Sequence, residues 1–149
     1  MYPDSVMLAF LEYYFEGAAP PSSIPATAYL GLHVGVSPPS FVGDGSDFIE
    51  PGGGGYQRMQ VTSASFWGDA FVPEFGDYAG QAIKQNAQVV TWPEATGPWG
   101  TPTHVGIFAA ASGGLPLAMP EVTEGQLAVV AGVQVRFTAG RITLIGRRF

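Results

Sequence analysis

Glycine and proline set the terms on which this chain can fold: 21 Gly and 13 Pro are spread through 149 residues. Proline cannot donate to a ladder or continue a helix, and glycine frees the backbone to turn. The apolar runs between them are therefore short. Residues 87–117 show the pattern most fully. Two apolar runs, residues 88–92 and 104–109, flank a corner carrying Pro93, Gly97, Pro98, Gly100 and Pro102. The second run ends in Gly113-Gly114, and a third segment, Leu115-Pro-Leu117, follows. Runs of about four to eight β-branched and aromatic residues, punctuated in this way, read as antiparallel strands. In residues 104–109, Val105 and Ile107 fall on one face, with His104, Gly106 and Phe108 on the other.

The same reading extends along the chain. Residues 27–36 alternate, with Leu30, Leu32, Val34 and Val36 on one face and Tyr29, Gly31, His33 and Gly35 on the other. His33 is thereby expected to face solvent or an interface. Residues 56–63 read as a second strand and residues 127–131 as a short apolar one. Val133, Val135 and Phe137 alternate with polar neighbours, and Ala139-Gly140 turns the chain into a last strand with Ile142 and Leu144. Near the start, Asp4-Ser5 precedes an apolar stripe of Val6, Met7, Phe10, Leu11, Tyr14 and Phe15, and Gly17 closes it. That spacing predicts an amphipathic helix over residues 5–16, inside an N-terminal unit of residues 1–17. It is too short to stand alone, so its stripe must dock on the sheet or on a neighbouring subunit. Residues 18–25 are a Pro-rich linker; residues 37–55 and 64–86 read as long loops, the polar stretch 79–86 included. The expected fold is all-β: one domain over residues 1–149, an antiparallel sandwich of about eight strands, jelly-roll or Greek-key in type, with one short N-terminal helix.

Charge narrows the function. Only 12% of residues are charged, about half the usual ~25% share, while 46% are hydrophobic. A surface so poor in charge either leaves apolar area for a partner, which points toward obligate assembly, or belongs to a compact Gly-rich sandwich faced with Ser, Thr, Gln and Gly. The net charge of −6 and the lack of a basic stripe argue against nucleic acid. The absence of cysteine removes disulfides and thiolate metal sites. No segment reaches the ~18–20 apolar residues of a membrane span. Residues 6–15 are interrupted by Glu12 and preceded by no Lys or Arg. No signal peptide is therefore expected, and synthesis is expected in the cytoplasm without export.

Catalytic chemistry finds little footing. His33 and His104 are the two histidines, and no Gly-x-Ser-x-Gly elbow accompanies them. Glu74, Asp77, Glu94, Glu121 and Glu124 are loop carboxylates among which no glycosidase pair stands out. The expectation is a non-enzymatic protein with no catalytic residue, no cofactor and no metal. Asp44, Asp47 and Glu50 are candidate oxygen ligands for calcium, but their spacing does not fit an EF-hand, and they read as solvated loop carboxylates. The four glycines at 52–55 lack the Lys-Ser/Thr of a phosphate loop and read as a bend leading into a strand. Residues 66–78 hold five aromatics and three acids without a period. They suit sugar stacking, but covering the end of the core or a neighbouring chain is the preferred reading. The interface candidates are Phe10 and Tyr14 on the helix, Trp67, Phe71, Phe75 and Tyr78 in that loop, and Arg147 and Arg148, which with Arg141 make a basic end.

The order of these signals resembles a family of small tailed-bacteriophage virion proteins, commonly labelled tail fibre or minor structural protein. The residues that carry the resemblance are Tyr29-Leu-Gly-Leu-His33, Glu50 with Gly53-Gly-Gly-Tyr-Gln-Arg58, Asn86-Ala87 and Pro93-Glu-Ala-Thr96. They continue through Trp99-Gly-Thr-Pro-Thr-His-Val-Gly-Ile-Phe108, the Gly113-Gly114 turn and the hydrophobic hairpin of residues 133–144. The chain departs from that pattern at Ala109, where the family usually has Asp, and in residues 66–78, which are longer and more aromatic. The resemblance implies a β-sandwich virion component without catalytic residues, made in the host cytoplasm and located on the particle. A tail-associated protein of fibre or adaptor type is the first expectation, assembling as a homo-oligomer, a trimer by preference, with other virion proteins. A capsid decoration protein cementing the head is the alternative. A carbohydrate-binding module using Trp67, Phe71 and Phe75 on a host-surface glycan is a third.

Overall fold

The computed structural model describes residues 25–40, 44–122 and 126–146, together with Leu8, Leu11, Phe15 and Gly17. Among them the chain is mostly strand and turn, with little helix. The elements are β1 (Thr27–His33), β2 (Met59–Thr62), α1 (Ser63–Phe66), β3 (Ala82–Gln85), β4 (Val90–Thr91), β5 (His104–Phe108), β6 (Arg136–Phe137) and β7 (Thr143–Gly146). They form three small antiparallel sheets, ordered β2-β1-β5, β3-β7 and β4-β6. The helix expected over residues 5–16 lies outside the described residues except at Leu8, Leu11 and Phe15, three helical positions that are exposed.

The three-stranded sheet is organised by β1 and β5, which pair from Tyr29 opposite Phe108 to His33 opposite His104. One face is apolar by alternation: Ala28, Leu30, Leu32, Val105 and Ile107 are all fully buried. Beyond β5, residues 117–122 run along its second edge. Leu117 N–H donates to Ile107 O (2.7 Å), Ile107 N–H to Ala118 O (2.9 Å) and Val105 N–H to Pro120 O (2.9 Å). Pro116 precedes that segment and Pro120 interrupts it, so it pairs through isolated bridges rather than a continuous ladder.

The apolar face opens onto a core shared by all three sheets. Trp92 is fully buried and meets Phe137 edge-on at 5.8 Å; both join Leu30, Ile107, Ile142 and Leu144 in one cluster. Asn86 ties the parts together from inside. Its Nδ2 donates to Gln88 O (2.8 Å) and Thr138 O (2.9 Å), and its Oδ1 accepts from Ile142 N–H (2.8 Å). A buried amide with each capacity used fixes the turn at Ala139-Gly140 against the β3–β7 sheet.

Several strand expectations change on contact with the structure. The strand expected over residues 27–36 ends at His33, because Val34 N–H turns aside to Ile49 O (2.8 Å). Residues 56–63 are strand only over Met59–Thr62 and then pass into α1. Residues 127–131 form no strand: Val129 alone bridges Gly100, and Leu127 and Val130 point outward. The stretch 64–86, read as loop, contains β3, which exists because β7 pairs with it along its whole length.

Candidate interaction surface

The second face of the β1–β5 pair, expected at His33 to meet solvent or an interface, is covered by the chain itself. Gly31 lies opposite Gly106, and the missing side chains leave a trough across the sheet. The trough is full. A Cβ on Gly31 would lie 2.5 Å from Glu50 Oε1, and one on Gly106 would lie 2.6 Å from the Phe108 ring and 2.7 Å from Phe48. Residues 45–58 thus fold back over the sheet and carry Phe48, Glu50, Tyr56 and Arg58 onto it.

A charged network closes this lid. Arg58 Nη2 meets Glu50 Oε2 at 2.7 Å, and Arg58 Nε donates to Glu50 Oε1 at 3.0 Å. Arg58 Nη1 donates to Ala110 O and Gly113 O, each at 2.8 Å, which holds the Gly-Gly turn. The guanidinium also stacks 3.4 Å from the centre of the Phe108 ring. Tyr56 donates its hydroxyl to Glu50 (2.7 Å) and accepts Leu32 N–H (2.8 Å). Burial first, and the bond to Glu50 second, push the Tyr56 phenol far above its ordinary value. The Arg58 side chain is only 4% exposed, so this ion pair sits where its hydrogen bonds must be complete.

His33 is correspondingly fully buried, not at solvent or an interface as its alternation suggested. Its Nδ1 accepts Ile49 N–H (2.8 Å), which places the proton on Nε2, donated to Ser37 O (2.9 Å). His104 lies edge-on to it at 5.8 Å and is 4% exposed, its Nδ1 at 3.0 Å from Thr103 Oγ1. Burial holds the His104 pKa below its ordinary value, Glu121 pulling the other way and His33 adding to the depression.

The three calcium-candidate carboxylates are occupied separately. Asp44 accepts Ser46 N–H (2.9 Å), and the Ser46 hydroxyl first, with that N–H second, lowers its pKa. Asp47 accepts Ser40 N–H, and Glu50 holds Arg58 and Tyr56. The tetraglycine is more than a bend: Gly54, at φ +64°, accepts both Thr96 N–H (2.9 Å) and Trp99 Nε1–H (2.8 Å) through its carbonyl. Its Cβ would lie 2.7 Å from Gly97 O. The glycines let this backbone dock on the corner of residues 93–99.

The interface candidates divide. Trp67 is buried, packed edge-on to Phe66 at 5.0 Å. Phe71 and Phe75 are 48% and 84% exposed, and Val72 beside them 51%. Tyr78 is half-buried. Phe10, Tyr14, Arg147 and Arg148 lie outside the described residues. The loop that carries the exposed rings is firmly held: Phe71 and Ile83 exchange N–H···O bonds of 3.0 and 2.8 Å, Gly68 N–H donates to Gln85 O (2.8 Å), and Gly80 N–H to Pro73 O (2.9 Å). Aromatic rings therefore stand in water on an ordered backbone, away from the core that claims Phe66 and Trp67. Exposed rings on an ordered backbone make this excursion a candidate contact surface.

The chain belongs to the family described as Podophage GP4 fiber I protein gp80, which matches residues 4–145. It is thus a member of a phage fibre structural family. No curated protein matches the chain. The residues that carried the resemblance meet in space: Gly31, Glu50, Tyr56, Arg58, Gly106 and Phe108 are the sheet and its lid. The Glu50–Arg58 pairing went unforeseen. Its sequence trace is an arginine at the head of a strand in a chain with very few cations.

Proposed function

We propose that this protein is a non-enzymatic, tail-associated virion component of fibre or adaptor type that assembles as a homo-oligomer, a trimer by preference, alongside other virion proteins. The observation that carries the reading is the display of Phe71, Val72 and Phe75 on a hydrogen-bonded excursion, in a chain of which only 12% is charged. Burying such a patch against a second copy removes apolar area from water at about 25 cal/mol per Å². The burial of both histidines supports the absence of catalysis, since neither presents an imidazole to a substrate in solvent. Within each subunit we read an antiparallel sandwich forming a single domain, a reading supported by the one apolar cluster to which all three sheets contribute. Immunogold labelling of intact particles tests the location. Label confined to the tail supports the fibre or adaptor role, and label spread over the head replaces it with capsid decoration. The module that would stack sugars on Trp67, Phe71 and Phe75 is disfavoured by the burial of Trp67.

A further inference from the structure

The imidazole of His33 fastens the lid with both of its nitrogens. Nε2–H donates to Ser37 O (2.9 Å), just past the end of β1, and Nδ1 accepts Ile49 N–H (2.8 Å) from the first part of the lid. A neutral imidazole has a single acceptor nitrogen, and Ile49 takes it. The ring is fully buried, with Phe48 at 5.1 Å and His104 at 5.8 Å. A Cβ on Gly35 would come within 2.7 Å of its Cε1. The chain is closed around it.

The groups around the ring are committed elsewhere. Among the described residues, the titratable and charged ones on the elements packed against it are His104, Glu121, Asp44, Asp47, Glu50 and Arg58. Glu50 is held by Arg58 and Tyr56, Asp47 by Ser40 N–H and Asp44 by Ser46 N–H. Glu121 acts on His104, and a proton on His104 would add like charge beside His33. Both His33 nitrogens meet backbone, so no carboxylate takes up a charge there. Imidazole changes charge between about pH 5 and 8. A proton arriving at Nδ1 competes with Ile49 N–H for one lone pair, and if it wins, two donors face each other beside a buried cation. That arrangement is costly, and lifting residues 45–49 relieves it by giving the cation water. The bond from Val34 N–H to Ile49 O (2.8 Å) is then left to carry that crossing. We propose that His33 is a pH-sensitive latch. Its protonation releases residues 45–49 from β1 and withdraws Phe48 from the trough over Gly106, while the Glu50–Arg58 end of the lid stays shut. The latch works within one chain and does not depend on the assembly proposed above.

The test is an NMR titration of the isotopically labelled full-length chain from about pH 8 to about pH 5. Ring nitrogen shifts report protonation of His33, and amide exchange, corrected for its intrinsic pH dependence, reports opening. Protection of the Val34 and Ile49 amides is expected to fall about tenfold or more in step with His33 protonation. The Ile107 and Trp92 amides, bonded to Ala118 O and Val135 O away from the lid, should keep theirs. His33→Asn offers Ile49 N–H a side-chain oxygen that does not titrate, and should hold residues 45–49 down across the range. His104→Gln should leave the opening in step with His33. The latch is overturned by Val34 and Ile49 amides that stay protected once His33 is protonated, or by a His33 ring that stays neutral until the whole chain unfolds. Opening that persists in His33→Asn, or that His104→Gln abolishes, overturns it as well. Should His33→Asn fail to fold, the wild-type ring titration and His104→Gln still decide.

Discussion

The lid over β1 and β5 and the excursion of residues 66–78 invert each other. In the lid, an arginine, a glutamate, a tyrosine hydroxyl and two histidines are drawn into the interior, where hydrogen bonds satisfy them. In the excursion, Phe71, Val72 and Phe75 are turned out to water while the backbone behind them is paired. The difference teaches where each kind of energy is used. A buried polar network contributes a unique internal arrangement and is costly to break. Exposed rings contribute nothing to the isolated fold and lower free energy only when a partner covers them. Folding is therefore secured at the first region, and the association proposed above would be secured at the second.

The comparison can be broken most forcefully at Arg58. Arg58→Met strands Glu50 without its ion pair and releases the Ala110 and Gly113 carbonyls. A loss of about 3–5 kcal/mol in chemical denaturation is expected; a loss below ~1 kcal/mol would show that the lid carries no such weight. Asn86→Ala removes three side-chain hydrogen bonds from the interior. About 3 kcal/mol is expected in the same assay, with the turn at Ala139-Gly140 becoming the first site of amide exchange. Gly31→Ala places a methyl group 2.5 Å from Glu50 Oε1 and should cost about 1–3 kcal/mol, since a filled trough resists one added carbon.

Acid gives a gentler probe of the same region. The folded-state pKa of His104 lies below its ordinary 6.5 because the ring is buried. The unfolded chain therefore binds the proton first. The stability that His104 contributes is complete above pH ~6.5 and is lost as pH falls from there through the folded value. Melting temperature should decline below pH ~6.5, and His104→Gln should flatten that decline; an unchanged slope would remove His104 from the account.

How much of this was legible beforehand follows from which forces were local. The two faces of β5 came directly from alternation, and the Ala139-Gly140 turn from its own chemistry, because both depend on residues adjacent in sequence. β3 was not legible: Ala-Ile-Lys-Gln has one strongly apolar residue, and only pairing with Leu144 and Ile145 makes it a strand. His33 was assigned to the wrong environment for the same reason. Alternation reports the face of a strand, and the loop that returns to cover that face is a long-range event. Among the interface candidates, Phe71 and Phe75 stand exposed, whereas Trp67, another aromatic of the same stretch, is taken by the core. An aromatic count cannot tell those cases apart.

The smallest expected effect on folding is the largest on assembly. Phe71→Ser with Phe75→Ser should change unfolding free energy by no more than about 1 kcal/mol, because Phe75 already stands in water and Phe71 is about half exposed. Light scattering on purified protein, wild type against this double variant, tests the central claim most directly. The account predicts a wild-type mass of a small multiple of 15.6 kDa, with three copies favoured, and a variant reduced to the mass of one chain at an unchanged melting temperature. A wild-type protein that stays a single chain at high concentration, or a variant that assembles as the wild type does, would contradict it.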